Sequence, residues 1–422
     1  LFWKPMFPAK TFMEKGMKKL FIVMACIIAC AVCVTGCSKQ DSKTSGKTEI
    51  RFASWDSAET LEAQQKLVDR FNETHSDIKV SLEAYGDDYD TKISAGMGSG
   101  DAPDVMYMWN YPAYYEGLEN LEPYIEKEGK AYKDNFYEAL WPYNQMKGTI
   151  YGMPVGFTTH CLYFNKDIFD KAGLAYPSSD WTWDDLQKNA QLITEKVPGV
   201  KGFAFPVKDD PYVFEMYLWS NGTSYMDNNG NTDGYLNAPK SIAVFDMFQN
   251  MEKQGWAIAT EKGGSDEMSG GKTAMYVYGG WVVARFNREN LNYGIVEIPA
   301  FAGAGKDSVS ILSSSGVSIA KSSKHKDAAW EFIKYWTGTE LNKERIGYEL
   351  PVLKSVVAEA NIMTDEKTAP FYTMLEHSAG YTPSAFISPT WSDLSDELSL
   401  AFERIFNPTT LESSASVLNE IK

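Results

Sequence analysis

The sequence predicts an α/β protein with two lobes, and three observations support this prediction. Strand and helix patterns alternate between residues 50 and 109, which is typical of a parallel sheet with helices on both faces. The alternation starts again at Tyr151. Residues 37–422 also exceed the roughly 50–250 residues that share a single core. We therefore expect two α/β units in one chain.

Period-two and helical spacings define the elements of the first unit. A helix is predicted where apolar side chains share one side, and a strand where they alternate. The elements are, in order, a strand at 50–55, a helix carrying Leu61, Leu67, Val68 and Phe71, a strand at 78–82, a glycine-rich turn at 96–100, and a buried strand at 103–109.

The second half opens with a strand at 161–164. Thr182 can cap the helix that follows, with Asp185 reaching back to its amide, as in a capping box. Further along, residues 329, 332, 333 and 336 are apolar and predict an amphipathic helix that ends at Gly338. Its tryptophans, Trp330 and Trp336, are expected in the core.

Residues 227–234 combine Asp, Asn and Gly and invite comparison with a calcium-binding loop. An EF-hand requires Gly at its sixth position and Glu at its twelfth, where this chain has Thr232 and Ala238. Asn and Gly adopt positive φ readily, so the segment favours a β-hairpin turn.

The beginning of the chain carries an export signal. Lys18 and Lys19 precede an apolar run from Leu20 to Val34, which is shorter than the roughly 20 residues that span a bilayer. Residues 34–37 (VTGC) resemble the lipobox of bacterial lipoproteins, in which the cysteine is lipidated and becomes the mature N-terminus. We expect translation to start at Met17, residues 1–36 to be removed, Cys37 to be lipidated, and residues 37–47 to form a flexible tether.

Composition narrows the classes of ligand. The chain has 40 basic and 56 acidic residues, a net charge of −16, which argues against nucleic acid or an anionic lipid surface as the ligand. Beyond Cys37 the only cysteine is Cys161, in an apolar run, so we expect a buried thiol, no disulfide and no metal site. No cofactor is expected.

No catalytic motif stands out. The chain lacks G-x-S-x-G, H-E-x-x-H and G-x-x-x-x-G-K-[ST], and its four histidines are scattered. A secreted glycosidase would need two carboxylates beside the scissile bond, and no local pattern isolates such a pair. We therefore expect a protein that is not an enzyme.

Several segments resemble the extracellular solute-binding proteins (family 1) of carbohydrate ABC transporters. The likeness runs from about residue 50 to residue 355, with a weaker tail to residue 422. The segments that carry it are residues 102–105, 148–154, 162–169, 173–177, 182–186, 271–281, 315–319 and 324–337.

The resemblance implies a two-lobed periplasmic-binding-protein-like fold of class II, with a hinge and a ligand cleft between the lobes. The chain would cross between lobes near 155–160, 311–315 and 350–360. The expected first lobe is residues 48–155 and 315–350, and the expected second lobe is residues 160–310 and 360–422.

Ligand contacts are expected where side chains follow strands, because ligands of α/β sheets bind beyond the carboxyl ends. Position in the chain selects Trp55, Trp109, Asn110 and Trp219. Likeness to maltose-binding members of the family adds Asp210, Tyr212, Gly280, Trp281 and Trp391. Thr158 falls where those members have a carboxylate contact, so this chain departs from them there.

The resemblance implies a monomeric lipoprotein on the outer face of the bacterial cell membrane. It would capture a mono- or oligosaccharide and deliver it to an ABC permease by hinge closure. Three alternatives stay open: a binder of another polar solute (a polyol, a glycerol phosphate ester or a polyamine), a secreted glycosidase, and a lipoprotein that binds a partner protein.

Overall fold

The computed structural model describes residues 46–421 except 57, 208–209, 262, 306 and 348. The predicted signal at 1–36 and the lipidation of Cys37 lie outside the described residues. The strands are β1 (Thr48–Ser54), β2 (Ile78–Ala84), β3 (Val105–Met108), β4 (Gln145–Met146), β5 (Thr149–Ile150), β6 (Met153–Thr158), β7 (His160–Asn165), β8 (Lys201–Pro206), β9 (Ala257–Thr260), β10 (Thr273–Gly279), β11 (Tyr293–Val296) and β12 (Ser313–Ile319).

Helices cover the faces of the sheets. They are α1 (Ala58–Thr74), α2 (Tyr89–Ser99), α3 (Tyr111–Tyr114), α4 (Glu122–Glu128), α5 (Lys130–Asp134), α6 (Lys166–Ala172), α7 (Trp183–Lys196), α8 (Pro211–Ser220), α9 (Pro239–Lys253), α10 (Ser265–Ser269), α11 (Val283–Arg288), α12 (Lys326–Trp336), α13 (Thr339–Glu344), α14 (Lys354–Glu359), α15 (Ala369–His377), α16 (Ser384–Ile387), α17 (Trp391–Phe406) and α18 (Ser414–Leu418). Short 3₁₀ helices lie at Gly86–Asp88, Tyr115–Gly117, Glu138–Asn144, Gly280–Val282 and Ile362–Thr364.

The first sheet has the order β2-β1-β3-β12-β6. Strand β1 is parallel to β2 and β3, whereas β12 is antiparallel to both of its neighbours. Consequently β1, β2, β3 and β6 all end at one edge of the sheet, and β12 begins there.

The second sheet has the order β11-β7-β10-β8-β9. Strands β8, β9, β10 and β11 run in one direction and β7 runs against its two neighbours. Four strands therefore end at the edge where β7 begins. Since only Thr159 separates β6 from β7, this edge adjoins the corresponding edge of the first sheet.

Most predicted elements are confirmed, but the predicted turn at 96–100 is wrong, because residues 96–99 belong to α2 and only Gly100, the C-cap, lies beyond its end. The predicted strand at 161–164 lies within β7, and Thr182 caps α7 by accepting from the Asp185 amide at 3.2 Å, while the Asp185 carboxylate accepts from the Thr182 amide at 2.9 Å. Strand β3 is shorter than the predicted strand at 103–109. Cys161 is buried, as predicted.

The predicted hairpin at 227–234 is wrong. The segment joins α8 to α9 and has no strand on either side. The Asp227 carboxylate accepts hydrogen bonds from the backbone amides of Asn229 and Asn231, at 2.8 and 2.9 Å. The Asp, Asn and Gly pattern marks a turn, but the turn is closed by a side chain and not by strand pairing.

Aromatic side chains of α12 close the first core. The Phe52 ring lies 5.1 Å from the Phe332 ring and 4.9 Å from Trp336. Trp336 has no exposed surface and Trp330 is 5% exposed, which confirms the prediction that both are core residues. Within the described ranges, no helix combines the length and the apolar character needed to cross a bilayer.

Close packing of β8 on α7 depends on a glycine. A Cβ atom at Gly202 would lie 2.2 Å from the backbone of Ala190, far inside van der Waals contact. We predict that Gly202→Ala lowers the free energy of unfolding by about 1–3 kcal/mol or more, since overpacking costs this much. Urea denaturation measures it.

Gly98→Ala is the matched control, because Gly98 lies in α2 with nothing within 4 Å of its would-be Cβ. This change should leave the free energy of unfolding unchanged or raise it by up to about 1 kcal/mol, since Ala favours a helix over Gly. Equal stability of the two variants would contradict the packing argument.

Candidate functional site

The candidate site lies where the two sheets adjoin. We call the two adjoining sheet margins the crossing edges: the carboxyl ends of β1, β3 and β6 in the first sheet and of β8 and β10 in the second. Side chains beyond these ends converge on the space between the sheets. Trp55, Trp109 and Thr158 belong to the first edge, and Gly280 and Trp281 to the second.

A direct hydrogen bond joins the two crossing edges. The Gly280 amide donates to the Thr158 hydroxyl at 2.8 Å. A Cβ atom at Gly280 would lie 3.0 Å from that hydroxyl oxygen and 3.5 Å from the Phe371 ring, so a larger residue would press the edges apart. This contact forms the floor of the site, and Thr158 is 7% exposed.

Trp281 projects from the second crossing edge and stays half-buried. Its ring lies against Gly279, where a Cβ would come within 2.6 Å of the ring atoms. The rings of His160 and Tyr278 lie nearly perpendicular to it, with centroid distances of 5.6 and 5.1 Å. The indole is thus fixed by its neighbours and retains accessible surface.

Trp55 holds the corresponding position on the first crossing edge and is also half-buried. Its ring packs on Tyr107 at 4.8 Å and meets Tyr89 edge-on at 5.3 Å. Trp109 is half-buried too, and Asn110 caps α3 by accepting from the Ala113 amide at 3.3 Å.

Asp210 and Tyr212 open α8 behind the second crossing edge. The Asp210 carboxylate accepts from the Tyr212 amide at 3.0 Å, and burial raises the pKa of Asp210 to about 6. Tyr212 has no exposed surface, and its hydroxyl donates to the Leu312 carbonyl at 2.8 Å.

Trp219 and Trp391 are covered by protein in this structure, with 4% and 5% of their surface exposed. Trp219 packs on Tyr381 at 5.3 Å and Trp391 on Tyr225 at 6.0 Å. Their assignment as ligand contacts stays a prediction, as does that of the other candidates, and it would require rearrangement on binding.

The sequence did not reveal the residues that hold the crossing segments. The Leu312 amide donates to the Tyr143 hydroxyl at 3.2 Å, so Leu312 is bonded by one tyrosine from each side. Helix α15 also bridges both sides: Thr159 donates to the Phe371 carbonyl at 2.8 Å, and Tyr372 packs on Phe157 at 5.4 Å. No local pattern marks such long-range partners.

Residues 55–343 match the sequence profile described as bacterial extracellular solute-binding protein. The chain belongs to this family. Its members are extracellular, so this solute-binding protein acts outside the cytoplasm.

A curated relative is the arabinooligosaccharide-binding protein of Bacillus subtilis, which is 26% identical over 358 residues, 79% of this chain and 78% of the relative. Two solved structures are similar. The sugar-binding protein MalE from Xanthomonas citri is 23% identical with a TM-score of 0.77, covering 89% of this chain and 95% of that one.

The second structure is an ABC substrate-binding protein from Listeria monocytogenes in complex with cycloalternan. It is 24% identical with a TM-score of 0.72 and covers 89% of this chain and 97% of that one. These likenesses confirm the predicted class II periplasmic-binding-protein-like fold. The relatives are binding proteins and not enzymes.

One buried acid beside the crossing segments makes the stability of this solute-binding protein depend on pH. Glu215 of α8 is 1% exposed and accepts a hydrogen bond from the Ser384 amide at 2.9 Å, and another from the Ser384 hydroxyl. Burial raises its pKa from 4.5 to about 8, against the opposing effect of these bonds.

We predict that the free energy of unfolding of wild type contains a contribution that decreases between pH 4.5 and about 8, and that Glu215→Gln lacks this contribution. Because the folded pKa is the higher one, the folded state binds more protons, so this contribution is fully present below pH 4.5 and is lost as the pH rises to about 8. The free energy of unfolding, measured in urea at several pH values, should therefore rise for the variant relative to wild type as pH increases.

The exposed Glu73 supplies a control, since Glu73→Gln should parallel wild type at every pH. A wild-type stability that rises from pH 5 to pH 8 relative to Glu215→Gln would contradict the assigned direction of the shift.

Proposed function

We propose that this solute-binding protein captures a sugar between its two crossing edges and delivers it to an ABC permease, with a lipid on Cys37 holding it at the outer face of the cell membrane. The proposal draws on the relatives, which are described as binding arabinooligosaccharides, cycloalternan and sugars. The lipobox-like residues 34–37 and the polar tether support the membrane anchor.

The single observation that carries the proposal is the pair of half-buried tryptophans on opposite crossing edges, Trp281 and Trp55. The apolar face of a pyranose or furanose packs on an aromatic plane, which buries area at a low cost in side-chain entropy. Polar groups between the tryptophans, among them Thr158 and Asn110, would bond the hydroxyl groups.

Hinge closure is the proposed mechanism. We assign β1, β2, β3, β6 and β12 to the first lobe and β7 to β11 to the second, in keeping with the predicted division at 155–160 and 311–315. A ligand that contacts both lobes favours the closed arrangement by the difference in its affinity for the two states. No covalent step is needed.

None of the proposed contact residues is basic, which disfavours a phosphate ester as the ligand. A thermal-shift screen of residues 38–422 against arabino- and malto-oligosaccharides, polyols, glycerol phosphate esters and polyamines separates the candidate ligands. At 100 times its dissociation constant a ligand adds about 2.7 kcal/mol of stability. Absence of any shift with carbohydrates would contradict the proposal, and turnover of chromogenic glycosides would favour a glycosidase.

We predict that Trp281→Ala weakens binding of the best oligosaccharide roughly 10- to 150-fold, because an aromatic side chain of this size contributes about 1.5–3 kcal/mol when it is covered. Isothermal titration calorimetry measures the affinity, and the free variant should melt close to wild type.

Trp330→Ala is the matched control. Trp330 is 5% exposed, donates to Glu128 at 3.1 Å and packs on Tyr124 at 5.5 Å. This variant should lose about 3–5 kcal/mol of stability and keep its affinity where it is folded. Equal affinity of Trp281→Ala and wild type would remove Trp281 from the site.

A further inference from the structure

A buried arginine lies beside the first crossing edge. Arg345, directly after α13, is 4% exposed, and its guanidinium lies over the Trp336 ring at 5.2 Å. Its Nη1 donates to the Trp336 carbonyl at 3.0 Å, whereas Nη2 is buried without a hydrogen-bond partner in the described part of the chain. A buried charge of this kind is costly unless it is paired.

The partner of this charge is Glu349, four residues further on. Its Oε2 lies 3.5 Å from the Arg345 Nε, too far and too poorly aligned for a good hydrogen bond, and no described residue donates to Oε2. Oε2 is itself buried, although the Glu349 side chain as a whole is 30% exposed. A buried acceptor that no described residue satisfies calls for another donor, and a ligand hydroxyl group can supply it.

The Glu349 side chain packs against β6 and β12, the two strands next to the crossing segments. A Cβ at Gly156 of β6 would be 3.6 Å from the Glu349 Oε2 and 3.5 Å from the Ser315 hydroxyl of β12. Gly156 and Ser315 are paired neighbours, and Gly156 precedes Thr158 of the site floor by two residues. The carboxylate is therefore at the crossing edge and not on the outer surface.

The same cluster adjoins Trp55. The Gln64 amide bonds both Asp56 and the Tyr107 hydroxyl, and the Tyr107 ring is the one on which Trp55 packs. The Trp336 indole, over which the Arg345 guanidinium lies, donates to the same Tyr107 hydroxyl at 3.0 Å, so Trp336 and Tyr107 connect Arg345 to Trp55. Burial raises the pKa of Glu349, Arg345 lowers it and Asp56 raises it. An aromatic plane and a bond-accepting carboxylate thus share one corner of the cleft.

We infer that Glu349 is a specificity-determining residue of the sugar site, accepting hydrogen bonds from ligand hydroxyl groups beside Trp55, and that Arg345 is its positioning residue. This inference rests on the proposed function. A sugar hydroxyl suits the arrangement because its O–H can donate to the carboxylate, which the charge of Arg345 holds in place.

The test compares variants of the soluble chain by calorimetry, with the arabino- or malto-oligosaccharide that most stabilises wild type. Glu349→Gln removes the charge, and Glu349→Asp keeps the charge near Arg345 but withdraws the carboxylate by one methylene. We expect each variant to raise the dissociation constant about 10- to 100-fold, because the loss of a hydrogen bond to a charged group typically has an effect of this size. The Glu349→Asp variant keeps the buried charge paired, so the test survives if Glu349→Gln folds poorly.

Glu340→Gln is the matched control, an exposed glutamate of α13 on the same segment, and it should bind as wild type does. If wild type binds sugar and both Glu349 variants retain its affinity, the inference is overturned while the proposed function stands. If wild type binds no carbohydrate, both are overturned.

The positioning role of Arg345 is tested by comparing the dissociation constants of two variants. Arg345→Lys retains a charge beside Glu349 and should keep affinity within about fivefold, whereas Arg345→Met should lose as much affinity as Glu349→Gln. A purely structural role would lower the melting temperature of both variants without separating their dissociation constants, and that result would overturn the positioning assignment.

Discussion

The structure depends on two adjacent segments that cross between its sheets. Thr159 alone separates β6 from β7, and the return segment enters β12 at Ser313. Leu312, just before that strand, is held through its amide by Tyr143 and through its carbonyl by Tyr212. These bonds are buried and come from opposite sides, so they hold the crossing backbone to both sheets in this arrangement, and a loss of either partner would leave a buried polar group unpaired. Movement of one sheet relative to the other must therefore occur at the crossing segments.

The constraint also places the site. Four strands of each sheet run toward the crossings, so the loops beyond their carboxyl ends meet in the same space. Glycines allow the approach: Gly280 lets the second edge donate to Thr158, and Gly279 lets the Trp281 ring lie against the backbone. The first edge then presents two half-buried tryptophans, Trp55 and Trp109, and the second edge presents Trp281. Aromatic planes on both sides with polar groups between them suit a ligand that has apolar C–H faces and hydroxyl groups around them. A sugar ring has both.

The sequence predicted local features well and long-range partners poorly. The capping box at Thr182, the core tryptophans of α12 and the strand at 161–164 follow from spacing that lies within one turn or one strand. The 227–234 turn was misassigned because Asp, Asn and Gly favour positive φ in any tight turn, and nothing local shows whether strands flank it. Leu312 bonds Tyr212 and Tyr143 across 100 and 169 residues of the chain, and the proposed roles of Arg345 and Glu349 depend on Gly156 and Trp55, which are also remote in the sequence. Such contacts depend on the topology of the sheets, which composition and periodicity do not specify.

The central claim is that one ligand is held by both crossing edges at once. A crystal structure of residues 38–422 with the oligosaccharide that most raises the melting temperature tests it most directly. The account predicts a sugar ring against Trp281 and another part of the same ligand against Trp55, with the crossing segments bent and the two sheets otherwise unchanged. A ligand that contacts only one sheet, or that binds away from both tryptophans, would contradict it.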